Sequence, residues 1–201
     1  MITGAAYYPE HWEKSRWRKD AKLMREMGIN AVRMGEFGWS VIERTKGDYD
    51  FSLYDEAISL MAEYGIDTIL GTPTAAPPAW LCQEQPDLYM EDRTGAKRGF
   101  GSRRHYCYNN QAYREYTKKI VTALVRHFEK KSHVIAWQVD NELGCEDEVR
   151  CYCEDCRRTF AEWLKSRYSS LEQLNRSWGT IFWSQTYTDW EQIILPKQTV
   201  V

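Results

Sequence analysis

Over about its first 165 residues the chain repeats one unit four times: a short apolar or β-rich run, then a stretch with helical spacing. This alternation constrains the fold more than any other feature. The runs fall at 4–8, 31–34, 67–72 and 134–139, and helices are predicted over 13–27, 53–64, 111–130 and 154–167. Trp17, Ala21, Met24 and Met27 form one stripe of the first helix, and Leu53, Ala57, Leu60 and Met61 face inward from the second. The third carries Tyr113, Tyr116, Ile120, Leu124 and Phe128 at spacings of three and four, and the fourth places Phe160, Trp163 and Leu164 on its buried side. Gly28 and Gly65 stand where the first two helices must stop.

Successive β-α units with right-handed crossovers demand a parallel sheet covered by helices. An open doubly wound sheet would carry a glycine-rich phosphate turn after its first strand, but that position reads Tyr7-Tyr8-Pro9-Glu10-His11-Trp12. The α/β class therefore resolves to a (β/α)8 TIM barrel. Such a barrel needs eight units, typically in ~250 residues, so residues 1–201 are expected to supply about the first four, as the N-terminal part of an incomplete barrel with no second domain. The tail over 169–201 shows no further strand-helix unit, and its fold is not legible. Residues 74–110 form a loop too long for a simple connector, and its tryptophan and arginines mark it as functional.

Composition narrows the function classes. The chain is 43% hydrophobic and 28% charged, with 27 Lys+Arg against 29 Asp+Glu, which excludes disordered, collagen-like and coiled-coil classes. A net charge of −2 without a basic run argues against a nucleic-acid groove. No apolar run approaches the ~20 residues of a membrane span, and residues 1–6 lack the start of a signal peptide, so the expected location is cytoplasmic. The 9 Trp and 13 Tyr suit stacking on sugar rings, although they would equally fill a core and its rim.

In parallel α/β folds, chemistry gathers at the carboxyl ends of the strands. Asp140-Asn141-Glu142 lies just past the fourth run, where Asn141 could bond a substrate hydroxyl and Glu142 could act as a carboxyl acid; a plain turn with a helix cap has the same residues. Gly35-Glu36-Phe37-Gly38-Trp39 and Arg103-Arg104-His105-Tyr106 would share that face. Cys151, Cys153 and Cys156 crowd three thiols into six residues, and Cys107 in the long loop would supply a fourth ligand for a structural zinc ion. A disulfide and ordinary free thiols remain open alternatives. Cys82 and Cys145 read as small apolar residues, Glu146-Asp147-Glu148 as a solvated run, and His127 and His133 as cations suited to a helix end. His105 could line a sugar site, but a loop histidine is more often a structural hydrogen-bonder.

Five separated motifs resemble glycoside hydrolase family 42, the β-galactosidases of clan A. They are Tyr7-Tyr8-Pro9-Glu10-His11-Trp12, Met34-Gly35-Glu36-Phe37-Gly38-Trp39-Ser40, Arg103-Arg104-His105-Tyr106-Cys107, Trp137-Gln138-Val139-Asp140-Asn141-Glu142 and Phe182-Trp183-Ser184-Gln185-Thr186-Tyr187. The resemblance spans about residues 4–196, and the last five residues do not look like the family's continuation. It implies retaining hydrolysis of terminal β-galactosides, with Glu142 as general acid/base, Asn141 and Arg103 holding galactose hydroxyls, and Trp183 lent to a neighbouring subunit's site. It also implies a zinc site at Cys107, Cys151, Cys153 and Cys156, and homotrimers for the family's full-length members. The family's nucleophile is a glutamate on the seventh strand, which has no match here, so the chain alone is expected to be inactive and to self-associate through its open sheet edges. The alternative reading is a zinc-stapled sugar-binding or interaction module without turnover.

Overall fold

The computed structural model describes residues 1–144 and 150–197. Its elements are β1 (Gly4–Ala6), α1 (Lys14–Glu26), β2 (Ala31–Met34), α2 (Trp39–Ile42), α3 (Ser52–Glu63), β3 (Asp67–Gly71), α4 (Ala79–Glu84), α5 (Gln111–Phe128), β4 (Val134–Gln138), α6 (Glu154–Arg167) and α7 (Leu171–Trp178). All four predicted strands and all four predicted long helices form. The chain divides into two compact units, the first comprising residues 1–86, 100–104 and 115–145 and the second 87–99, 105–114 and 146–201.

The first unit is built on a four-stranded parallel sheet in the order β1-β2-β3-β4, the arrangement of the first four β/α units of a (β/α)8 barrel. Central strands β2 and β3 are mostly buried, whereas edge strands β1 and β4 are partly exposed. Ile135 is an extra residue in the β3–β4 ladder, since Thr68 pairs with Val134 and Ile69 with Ala136. That bulge sets Gln138 opposite Gly71 at the carboxyl end of the sheet. Trp17 and Ala21 of α1 and Tyr54, Ala57, Ile58 and Met61 of α3 are buried, each large side chain contributing about 1.5–3 kcal/mol.

Both predicted helix stops hold for the same reason. Gly28 (φ 82°) and Gly65 (φ 68°) adopt the left-handed conformation, so the amides that follow, Ile29 and Ile66, turn back to the carbonyls of Met24 and Met61. Ile66 and Met61, joined by that backbone bond, are both fully buried where α3 ends. Four inward assignments need correction. Met27 is 77% exposed because α1 ends at Glu26 and its stripe ends with it. Leu53 and Leu60 are half-buried, their places in the α3 core taken by Tyr54 and Ile58. Trp163 is 51% exposed, while Ala161 and Leu164 carry the buried face of α6.

The long loop is more structured than its length suggests. It contains α4, short 3-10 turns at Pro73–Ala75 and Pro86–Leu88, and bridges pairing Tyr89 with Tyr106 and Glu91 with Lys97. In the second unit Leu164, Leu174 and Ile193 form a small core, against which Phe160, Tyr168, Leu171, Tyr187 and Trp190 pack. Ser170 caps α7 by accepting from the Gln173 amide, and Asn175 ties the tail to it by donating to the Tyr187 carbonyl at 2.7 Å. Among the described residues the tail adds no strand, as expected. Cys145 and Glu146-Asp147-Glu148 lie outside the described residues.

Gly71 has a steric reason to be glycine. A Cβ there would lie 2.7 Å from the Glu36 Cβ and 2.9 Å from its backbone, inside any tolerable contact. Gly71→Ala is expected to lower stability by about 1–3 kcal/mol, the usual cost of overpacking, in a denaturant titration; an unchanged midpoint would contradict the close approach.

Candidate active site and metal centre

The carboxyl end of β4 turns through an unusual backbone. Asp140 (φ 59°) and Glu142 (φ 48°) are both left-handed without being glycine, and so are Ser102 and Arg104 on either side of Arg103. Each such residue costs on the order of 1 kcal/mol or more and persists only where its surroundings hold it. Those surroundings are identifiable. The Thr72 amide donates to the Gln138 carbonyl at 2.9 Å, and Thr72 Oγ1 accepts from the Asp140 amide at 2.7 Å. Gln138 Nε2 donates to the Asp140 carbonyl at 2.8 Å and to Asn141 Oδ1 at 3.1 Å. Arg104, 5% exposed, donates from Nη1 to the Asn141 carbonyl at 2.8 Å, while its own amide bonds to the Ala75 carbonyl.

The turn presents two groups, and Arg103 of the long loop joins them. Asn141 is 3% exposed, and its Nδ2 is a buried donor with no hydrogen-bond partner among the described residues. An orphaned donor costs about 1–3 kcal/mol, so it marks a place where a ligand oxygen would be welcome. Glu142 is half-exposed and pairs with Arg103, Nη2 to Oε2 at 2.7 Å. Solvent screens that pair to at most about 1 kcal/mol, leaving the carboxyl available for other work. The Arg103 guanidinium lies 5.8 Å from the centre of the Phe37 ring, which is 5.8 Å from the Tyr8 ring. Asn141, Glu142 and Arg103 therefore come together as the sequence predicts. Trp183 belongs to the second unit, where it is 70% exposed, left-handed (φ 54°) and 4.7 Å from Phe182.

The sequence reading missed the bracing groups. Arg104 was indistinguishable from Arg103 until burial and the carbonyl bond separated them; Thr72 lies in no motif, and Gln138, though inside the Trp137–Glu142 motif, carries no local sign of a bracing role. His105 is 2% exposed between Tyr89 and Tyr106, and burial pushes its imidazole below the usual value. Those surroundings fit the structural role. His127 and His133 pair with Asp55 at 2.7 Å and Asp67 at 3.1 Å.

In the second unit Cys107, Cys151, Cys153 and Cys156 converge, with all four sulfurs within 4.8 Å of one another. Cys107 lies 3.4 Å from both Cys153 and Cys156. Around a tetrahedral ion with ~2.3 Å bonds the sulfurs would stand about 3.8 Å apart, so the cluster can hold a metal ion after small adjustments. Hydrogen bonding from Cys107 holds the Cys153 thiol down to about 6 and Cys151 below the usual thiol range; its bond to Cys151 in turn pushes Cys107 up. Cys107 and Cys153 are buried, whereas Cys151 and Cys156 line a cavity of about 610 Å³ that gives a way in. Cys82 is buried outside this set, as expected.

A half-exposed carboxyl, a buried amide donor without a partner and an arginine at the carboxyl end of a parallel sheet mark this as the candidate site of a barrel-type enzyme. The sequence as a whole places it. The family model of glycoside hydrolase family 42, described as beta-galactosidase, matches residues 6–201, and the chain belongs to that family. The match runs through the last five residues, which the sequence reading had left out of the resemblance. Beta-galactosidase BgaH of Haloferax lucentense is 48% identical over 199 residues, 99% of this chain and 30% of the relative. The beta-galactosidase of Thermus thermophilus is 47% identical over 99% of this chain and 31% of its own length. The solved beta-galactosidase of the psychrophilic Marinomonas ef1 superposes with a TM-score of 0.95 at 45% identity, covering 100% of this chain and 31% of that one. The chain thus spans about 30% of the length of the curated relatives it matches.

Arg104→Met keeps the apolar stem but leaves the Asn141 carbonyl unpaired. It is expected to cost about 2 kcal/mol and to lower Tm by roughly 4–8 °C. Calorimetry showing no change would remove Arg104 from the bracing of the turn.

Proposed function

We propose that residues 1–201 are the N-terminal part of the catalytic barrel of a retaining β-galactosidase and supply the acid/base half of its site. Glu142 protonates the leaving glycosidic oxygen, and Asn141 Nδ2 and Arg103 bind galactose hydroxyls. The observation that carries this reading is the buried, orphaned Asn141 donor next to a carboxyl ion-paired with Arg103. Retaining hydrolysis also needs a second carboxyl about 5–5.5 Å from the first, which attacks the anomeric carbon. The family resemblance assigns that nucleophile to the seventh strand, so the 201-residue chain by itself binds a β-galactoside without turning it over. Trp183 is read as a contribution to a neighbouring subunit's sugar site in a homotrimer of the whole enzyme. Its exposure and left-handed backbone support that reading. With only part of the barrel present, edge strands β1 and β4 make self-association the expected behaviour of the isolated chain.

The metal proposed for Cys107, Cys151, Cys153 and Cys156 is a single zinc ion. Four sulfurs fill its tetrahedral shell, so its role is structural. Cys107 follows Arg104 by three residues, and a metal tie at this point would restrain the chain just past both arginines. Four thiolates kept for metal suit a reducing compartment, and the proposed location is cytoplasmic.

Two experiments test these readings. Wild-type chain is expected to bind a chromogenic β-galactoside without releasing its chromophore, and Asn141→Ala to weaken binding roughly tenfold through loss of one hydrogen bond to a buried site. Absence of binding would overturn the sugar site; turnover that disappears in Glu142→Gln would place a second carboxylate within the chain. Metal analysis of chelator-free protein is expected to give about one zinc per chain, lost in Cys151→Ser together with thermal stability. A content well below that would refute the zinc site.

A further inference from the structure

We propose that Glu36 is a positioning residue of the sugar site, holding Arg33 and Tyr8 in one orientation beside Glu142; this rests on the reading of Glu142, Asn141 and Arg103 as a galactoside site. Glu36 is 0% exposed, seated against Gly71 where no Cβ would fit. Its Oε1 makes an ion pair with Arg33 Nε at 2.8 Å and accepts from the Tyr8 hydroxyl at 2.9 Å, and Arg33 Nη2 donates to the Tyr8 oxygen at 3.2 Å. Three side chains thus close a triangle.

A carboxylate withdrawn from water costs several kcal/mol, and an apolar residue of similar size would pack that space more stably. The charge is retained for what it holds. Burial, and then the bond to Glu36, push the Tyr8 phenol up, so it stays protonated and donates. With Nη2 bonded to Tyr8 and the buried Nε held against the Glu36 carboxylate as an ion pair rather than a hydrogen bond, the Arg33 guanidinium is restrained on two sides, and Nη1 is the part left for a ligand. Arg33 is about one-third exposed and within electrostatic reach of Glu142. From Tyr8 the contacts continue through Phe37 and Arg103 to Glu142. A second guanidinium is therefore aimed at the same crevice, suited to a sugar oxygen.

The test follows the Arg33 Nε–H by NMR, and titrates isopropyl β-D-thiogalactoside, in the wild-type chain, Glu36→Gln, Glu36→Asp and Tyr8→Phe. The Arg33 nitrogen is buried, so wild type should show a resolved, slowly exchanging signal. Glu36→Gln should lose that signal and bind the thiogalactoside roughly tenfold more weakly, as loss of the ion pair that restrains Arg33 requires, while Glu36→Asp, which keeps the charge, recovers part of both. A signal and an affinity unchanged in Glu36→Gln would overturn the proposal. Should Glu36→Gln fail to fold, Tyr8→Phe decides, because it opens one side of the triangle and leaves the buried charge paired: faster exchange supports the clamp and unchanged exchange refutes it. A wild type that ignores the thiogalactoside would sink the sugar-site reading, and the arginine signal would still decide whether Glu36 holds Arg33.

Discussion

The turn after β4 must hold two non-glycine residues in left-handed conformation, and much of the first unit is arranged to keep it there. Asp140 and Glu142 together cost a few kcal/mol of backbone strain. Thr72 from the end of β3, Gln138 from β4 itself and Arg104 from the long loop each contribute a hydrogen bond to the turn. Two of the three are groups that burial has removed from competition with water: Thr72 is 6% and Arg104 5% exposed. Such bonds can hold strained backbone because the turn cannot relax without leaving a buried donor or acceptor unpaired. The Glu142 carboxyl is consequently delivered from a fixed backbone while its own side chain stays half-exposed.

That turn depends in its turn on how closely neighbouring strands approach. Gly71 ends β3 opposite Gln138, and its missing side chain lets the backbone of Glu36 come within the distance a Cβ would occupy. Gly38 does the same for the buried Tyr54, whose hydroxyl oxygen occupies the position of a Cβ. Gly71 thus lets the carboxyl end of β3 approach the segment just past β2, while its register partner Gln138 carries β4 to the same end of the sheet. Tyr8, Arg33, Glu36, Arg103 and Glu142 come from four separate stretches of chain, yet a continuous path of ion pairs, hydrogen bonds and ring contacts joins them.

The fold was legible in the sequence wherever one local rule acted alone. Apolar runs of β-rich residues, helical spacing and a glycine after α1 and α3 located every strand and long helix, because each signal is local to its element. Inward faces were less legible. Met27 and Trp163 fit their helical stripes but emerge in solvent, since helix length and packing partners decide which end of a stripe is covered. The candidate site residues Asn141, Glu142 and Arg103 were singled out by motif and position, and the cysteine set by spacing and resemblance. Arg104, Thr72 and Gln138 were not singled out as braces, because what distinguishes them is burial and a partner distant in sequence, which no local pattern encodes.

The outliers point in a consistent direction. A folded chain is expected to pair its buried donors and to place glycine where φ is positive, because each exception is paid for in stability. Among the described residues the backbone exceptions are concentrated. Of the left-handed non-glycine residues, Ser102 and Arg104 flank Arg103, and Asp140 and Glu142 flank Asn141, whose Nδ2 is one of the buried donors without a partner. The remaining pair, Trp183 and Ser184, presents a tryptophan that is 70% exposed. An indole in solvent and an amide without an acceptor are both poor choices for stability and good ones for binding, the first offering an apolar face and the second a hydrogen bond that desolvation has already made costly to leave unmade. Backbone strain, with one of the unmet buried donors beside it, thus falls on residues that the sequence motifs had already singled out.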